Sequence, residues 1–192
     1  MSKYTIAVIV GSLRKESLNR KLADALAKMA PDDVELKQLR IDDLPHYNQD
    51  DDARPADPVK RLKRELKAAS GVIFVTPEYN RSVPGVLKNA IDHASRPYGQ
   101  SAFEGKPAGV IGVSIGAIGT AVAQGHLRTI LGYLDMPTLG QPEAYITAKE
   151  GFFEADGQVT PKSREFVQKW LDRYVDWMKA HAAAAGDARR AA

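Results

Sequence analysis

The chain has 192 residues, 44% of them hydrophobic and 27% charged, with a formal net charge of +3 and no cysteine. That length buries a substantial core in one domain, and the absence of thiols excludes disulfides, thiolate metal sites and iron–sulfur clusters. No apolar run approaches the roughly 20 residues that span a bilayer, and no Lys/Arg stripe with interleaved aromatics points to nucleic acid.

The first residues, Met1 to Tyr4, run straight into an apolar β-branched segment without the charged and apolar regions of a secretion signal. With the missing cysteines this fits a cytoplasmic protein, and the lack of a spanning run and of a basic stripe predicts that it binds no membrane and no nucleic acid. Tyr4–Val10 is continuously apolar, as a strand covered on both faces is. Leu18, Leu22, Ala25, Leu26 and Met29 then repeat at helical spacing, and Val34–Leu39 alternates as a second strand. Val59, Leu62 and Leu66 mark a helix ending by Gly71, and Val72–Val75 forms a third strand. Pro84 suits the first turn of a helix whose buried stripe is Leu87, Ile91 and Ala94. A fourth strand, Gly109–Val113, precedes a helix bearing Leu127, Ile130, Leu131 and Leu134. A short fifth strand is expected near Thr138–Tyr145. The last helix is expected from Pro161 to His181, with Phe166, Trp170, Tyr174 and Trp177 packing into the core. Residues 1–181 read as one domain, and 182–192 as a mobile C-terminal tail.

Five strand–helix alternations predict an α/β fold, a doubly wound parallel sheet with helices on both faces. For the order 2-1-3-4-5, ligands bind outside the carboxyl ends of the strands, where strand order reverses between the first and third. The loops after strands one, three and four are therefore the ones to inspect. The first, Gly11–Asn19, has a glycine for a tight strand exit, polar groups on Ser12, Ser17 and Asn19, a cation in Arg14, and a helix beginning near Ser17. A helix N-terminus offers unpaired N–H groups and a positive dipole end to an anion; taken alone, the run reads equally well as a serine-capped helix start. The second, Thr76–Gly85, is stiffened by two prolines and carries Glu78, Tyr79, Asn80 and Ser82. The third, Ser114–Thr120, places Ser114 among glycines Gly116 and Gly119, which permit close backbone approach to a flat ring.

Other patterns fail on spacing. Gly99–Lys106 has five residues between its glycines and no strand before it, so it is no P-loop. Gly112, Gly116 and Gly119 lack dinucleotide-binding spacing, so Asp42 and Asp43 are not read as ribose ligands. Asp50–Asp52 lacks the glycine and distal glutamate of a calcium loop, and His46, His93, His126 and His181 are scattered. No metal site is expected.

Two motifs carry a family likeness. Gly-Ser-x-Arg-x-x-Ser-x-Asn at Gly11–Asn19 and Pro-Glu-Tyr-Asn-x-Ser-x-Pro-Gly-x-Leu-Lys-Asn-Ala-Ile-Asp at Pro77–Asp92 resemble the NAD(P)H-dependent FMN reductases, a flavodoxin-like family that includes bacterial chromate and quinone reductases. The resemblance implies that Ser12, Arg14, Ser17, Leu18 and Asn19 hold the FMN phosphate. It implies that Pro77, Glu78, Tyr79, Asn80 and Ser82 line the isoalloxazine, joined by Ser114, Gly116 and Gly119. The implied reaction is hydride transfer from NADPH or NADH through FMN to quinones, chromate, azo compounds or free flavin by a ping-pong route. The flavin carries the chemistry, and no side chain serves as a dedicated acid or base. A homodimer or homotetramer is implied, with contacts through Arg96–Gly105 and the helix from Thr120 to Leu134. The alternative is a flavodoxin-type electron carrier without NAD(P)H turnover, which the positive net charge disfavours. Many relatives carry tryptophan where this chain has His93, so packing behind the flavin loop is expected to differ; at Arg81 relatives vary.

Overall fold

The computed structural model describes residues 4–148 and 151–191, with side chains of the last helix through 184. Strands β1 (Tyr4–Val10), β2 (Val34–Gln38), β3 (Gly71–Val75), β4 (Ala108–Ser114) and β5 (Tyr145–Thr147) alternate with helices α1 (Leu18–Met29), α2 (Asp57–Ala68), α3 (Gly85–Ser95), α4 (Ala121–Tyr133) and α5 (Pro161–Ala191). All pairings are parallel and the order is β2-β1-β3-β4-β5. The doubly wound parallel sheet expected from the alternation, in the 2-1-3-4-5 order of the flavodoxin-like resemblance, is the one observed.

The continuous apolar character of β1 follows from two separate cores. Ile6, Val8 and Val10 face the cluster built with α1 and α5, whereas Ala7 and Ile9 face the cluster built with α2, α3 and α4. Each fully buried Leu or Ile contributes about 1.5–3 kcal/mol, so neither face of this strand tolerates a polar residue. On the α5 side, Trp170 and Tyr174 stack with ring centroids 5.8 Å apart. The Tyr174 hydroxyl donates to the Pro107 carbonyl at 3.2 Å, and burial pushes its pKa up. Gly109 makes that fit possible: a Cβ there would lie 2.6 Å from the Tyr174 ring.

Three local expectations change. Thr138 forms only an isolated bridge to Ala108, and β5 begins at Tyr145, beyond Gly140-Gln141-Pro142. Proline supplies no N–H to a ladder, so the strand starts after it. Phe166 is exposed, while Trp170 and Tyr174 are buried and Trp177 packs at the core margin. Helix α5 continues ten residues past its expected end at His181, reaching Ala191; the alanine-rich segment from Ala182 has the highest helix propensity available.

Candidate functional site

At the carboxyl edge of the sheet, Val10 and Val75 end adjacent strands, and the loops that follow them touch. The Gly11 amide donates to the Val75 carbonyl at 2.9 Å. A Cβ on Gly11 would come within 3.1 Å of Leu87 and 3.3 Å of Pro77, so the glycine sets how closely the two loops run. Ser12 and Ser17 are both buried. The Ser12 hydroxyl lies 3.4 Å from the Tyr79 hydroxyl and accepts from the Arg14 amide. Ser17 is the N-cap of α1, and its Oγ accepts from the Arg20 amide at 3.3 Å.

That accounting leaves a concentration of donors. Among the described residues, the backbone N–H groups of Leu13 and of Lys15 through Asn19 have no protein acceptor. They surround the first turn of α1, where the helix dipole is positive. Arg14 stands exposed at the rim. Arg20, which the sequence motif did not single out, reaches back with Nη2 to the Ser12 carbonyl at 3.5 Å. Its position three residues after the capping serine was the available signal. A dianionic phosphate fits such a set of N–H and hydroxyl donors.

Asn19 does not contribute its side chain to this set. It is buried, its Nδ2 donates to the Val113 carbonyl at 2.9 Å, and its Oδ1 accepts from the Val113 amide at 3.0 Å. Both polar ends of the amide tie α1 to β4. What Asn19 offers an anion is its backbone N–H.

The second loop is a tight reversal. Tyr79 and Ser82 exchange both backbone hydrogen bonds, 3.2 and 3.0 Å, around Asn80 and Arg81. Those two residues have φ of 50° and 62°, the pattern of a type I′ turn made without glycine. Left-handed backbone at a bulky residue is costly and concentrates at functional sites. Tyr79 is exposed at the tip, and Pro77 is buried beneath it.

The Glu78 side chain is engaged within the protein. The carboxylate is only 6% exposed; Oε2 accepts from the Val122 and Ala123 amides at 3.0 Å each, and Oε1 accepts from Arg81. Burial alone would raise its pKa, but the hydrogen bonds from Ala123, Arg81 and Val122 outweigh that and hold it below the ordinary carboxylate range. Ser82 also faces α4, with its Oγ 3.1 Å from His126 Nδ1. His126 was not singled out in the sequence, because nothing local joins it to a loop 44 residues away.

In the third loop the Ser114 hydroxyl accepts from the Gly116 amide at 3.0 Å, and Thr147 donates to the Gly116 carbonyl at 3.2 Å. The two glycines differ. Gly119 has φ +60°, and a Cβ there would lie 2.8 Å from the Tyr145 backbone, so packing against β5 by itself requires a glycine there. At Gly116 a Cβ would make only an ordinary 3.4 Å contact with Ser114; the chain's own packing leaves that space open. Ile115, 82% exposed, and Ile118 form an apolar rim there.

His93 packs away from the flavin loop, a difference of the kind expected at this position. Its Nε2 donates to the Pro45 carbonyl at 2.9 Å and its ring meets Tyr47 edge-on, so it supports the loop after β2 rather than the Pro77–Ser82 turn. Asn89 joins it, accepting from the Tyr47 amide and donating to Pro45. Asp43 pairs with Arg61 at 2.6 Å and Asp42 with Arg40 at 2.9 Å, which engages both carboxylates. Among the described residues no cluster of His, Cys, Asp and Glu could hold a metal ion, and no helix is long and apolar enough to cross a membrane.

Residues 4–151 match the family described as NADPH-dependent FMN reductase. A quinone reductase of Pseudomonas putida is 51% identical over 181 residues, covering 94% of this chain and 97% of the relative. A 2-hydroxy-1,4-benzoquinone reductase of a Burkholderia species is 48% identical over 175 residues, covering 91% and 96%. The solved structure of FerB, a flavoenzyme NAD(P)H:(acceptor) oxidoreductase from Paracoccus denitrificans, matches with a TM-score of 0.88 at 48% identity, covering 93% of this chain and 98% of that one.

Proposed function

Because the chain belongs to the NADPH-dependent FMN reductase family, whose enzymes pair FMN with a nicotinamide reductant, we propose that it is a quinone reductase working by ping-pong turnover at the carboxyl edge of its sheet. The observation that carries the placement is the donor set after β1: unpartnered N–H groups from Lys15 to Asn19 beside the buried hydroxyls of Ser12 and Ser17. Those groups, with Arg14 and Arg20, would hold the cofactor phosphate. The backbone of Pro77–Asn80 and the open space at Gly116 would border its ring. When bound, FMN supplies the capacity to accept a hydride from NAD(P)H and pass it on.

The chain's own part is positioning. The Ser12–Tyr79 contact joins phosphate loop to ring loop, and fixed backbone amides favour negative charge without reorganising. Exposed Tyr79, Ile115 and Ile118 give the cleft an apolar rim, which suits flat quinones; azo compounds, chromate and free flavin are further acceptors for one open ring face. A reductant drawn from the intracellular nicotinamide pool supports a cytoplasmic location. A groove of about 600 Å³ between α3 and α4, lined by Ile91, Ile130 and Leu134 with Tyr98 and Tyr133 exposed at its margin, supports a homodimer or homotetramer, in which a second copy covers those apolar groups. Sedimentation at micromolar concentration checks this, and a monomer contradicts it.

The functional test begins by adding FMN to purified protein. The expected result is bound, yellow cofactor that bleaches anaerobically with NADPH or NADH and recovers its colour on addition of 1,4-benzoquinone. Protein that takes up no FMN, or FMN that NAD(P)H does not reduce, overturns the proposal.

A further inference from the structure

Helix α4 starts without a cap of its own. Thr120, at its N-cap position, makes no capping bond with its side chain, and no acidic residue occupies the first turn. The Thr120 hydroxyl is buried and accepts instead from Gln124 Nε2 at 2.8 Å. The missing acceptor comes from another element: both the Val122 and Ala123 amides donate to one oxygen of Glu78, 3.0 Å each. The other oxygen of the same carboxylate holds Arg81 Nη1 at 3.0 Å. Arg81 is one of the turn's two residues in left-handed conformation, so the carboxylate grips both the helix and the strained half of the turn. Ser82 and His126 make a second tie between the same two elements.

We infer that Glu78 is a positioning residue: it fastens the Tyr79–Ser82 turn to the N-terminus of α4 and, through Arg81, keeps that turn in its left-handed conformation, so that the backbone at Tyr79 and Asn80 is preset for the cofactor ring. Its side chain touches helix and turn rather than ligand. The inference rests on the reading of this turn as the ring-binding loop. Strained backbone persists only where its surroundings over-determine it, and a charged acceptor shared by three donors provides that constraint.

Glu78→Gln separates the two grips. Its amide oxygen is able to replace Oε2 at the Val122 and Ala123 amides, while its NH₂ group presents hydrogens to Arg81 and loses the ion pair. Glu78→Ala removes both. The experiment compares full-length wild type and the two variants by amide hydrogen exchange without cofactor and by titration with FMN. In Glu78→Ala, exchange is expected to quicken at Val122, Ala123, Tyr79 and Ser82, and the FMN Kd to rise about tenfold or more, the scale of a lost charge-assisted contact. In Glu78→Gln, protection at Val122 and Ala123 is expected to stay, exchange at Tyr79 and Ser82 to quicken, and the Kd to rise about threefold, as for one weaker interaction. Wild-type exchange at Tyr79 and Ser82 in both variants, or unchanged FMN affinity in both, reduces Glu78 to a helix cap and overturns the inference. Wild-type protein that takes up no FMN overturns the proposed function instead, and the exchange measurements still decide whether Glu78 holds the turn.

Discussion

The two loops that meet at the sheet edge are built on opposite plans. At Leu13 and from Lys15 to Asn19 the backbone donors are left without protein partners, while the side chains of Ser12, Ser17 and Asn19 hold the loop in place. From Tyr79 to Ser82 the end residues are paired with each other across the turn, and the side chains of Glu78, Arg81 and Ser82 bind one another or α4. The first loop is a relaxed helix start that keeps its hydrogen-bonding capacity for an anion. The second is a strained reversal whose neighbours hold its shape for a ring. The side chain of a motif residue at such a site can therefore serve the protein: those of Asn19 and Glu78 are both taken up by neighbouring backbone or side chains.

The largest effect that would break this contrast is at Asn19. Asn19→Ala leaves the Val113 amide and carbonyl without their buried partners, and a loss of about 3 kcal/mol in urea unfolding is expected from two buried groups left unsatisfied. If instead stability holds and only FMN affinity falls, Asn19 is a ligand contact after all. The two glycines of the third loop sharpen the same distinction. Gly119→Ala forces a side chain at φ +60° against Tyr145 and is expected to cost about 2 kcal/mol or more. Gly116→Ala, with open space around it, is expected to change stability by less than about 0.5 kcal/mol while weakening FMN binding; thermal melts and titrations of both variants check the pair.

Acidification probes the second loop. The folded pKa of Glu78 lies below its ordinary value of 4.5, so its ionised form is favoured in the folded state. The contribution is therefore present above the unfolded pKa and is lost as pH falls through the folded one. Protection of the Val122 and Ala123 amides is expected to be flat from neutral pH down to that range and to decline only below it; a decline near pH 6 would assign the effect to another group. The smallest effect is expected for Tyr79→Phe. The Ser12–Tyr79 contact is long, at 3.4 Å, and its loss is expected to change unfolding stability by under about 0.5 kcal/mol, in line with a weak, part-exposed hydrogen bond.

The sequence made the sheet legible where burial was two-sided. Tyr4–Val10 and Gly71–Val75 are apolar without interruption because a core lies on each face. It was a poor guide to β5, which has three residues and only Ile146 buried; no periodicity survives in so short a segment. Among site residues, the serines after β1 and the stiff turn after β3 were readable because local chemistry places them. The destination of the Asn19 amide, 94 residues away at Val113, and of the Glu78 carboxylate, 44 and 45 residues away on α4, depends on tertiary packing that residue type alone does not encode. For the same reason His126 went unmarked, since it meets Ser82 across 44 residues; Arg20, eight residues from Ser12, lay within local reach.

The central claim, that the backbone donors after β1 form a phosphate cradle, is tested most directly by titrating the protein with FMN and with riboflavin, which differ only in that phosphate. FMN is predicted to bind about a hundredfold more tightly, the scale of several charge-assisted hydrogen bonds, and Ser17→Ala is predicted to shrink the difference. Equal affinity for the two flavins would contradict the cradle.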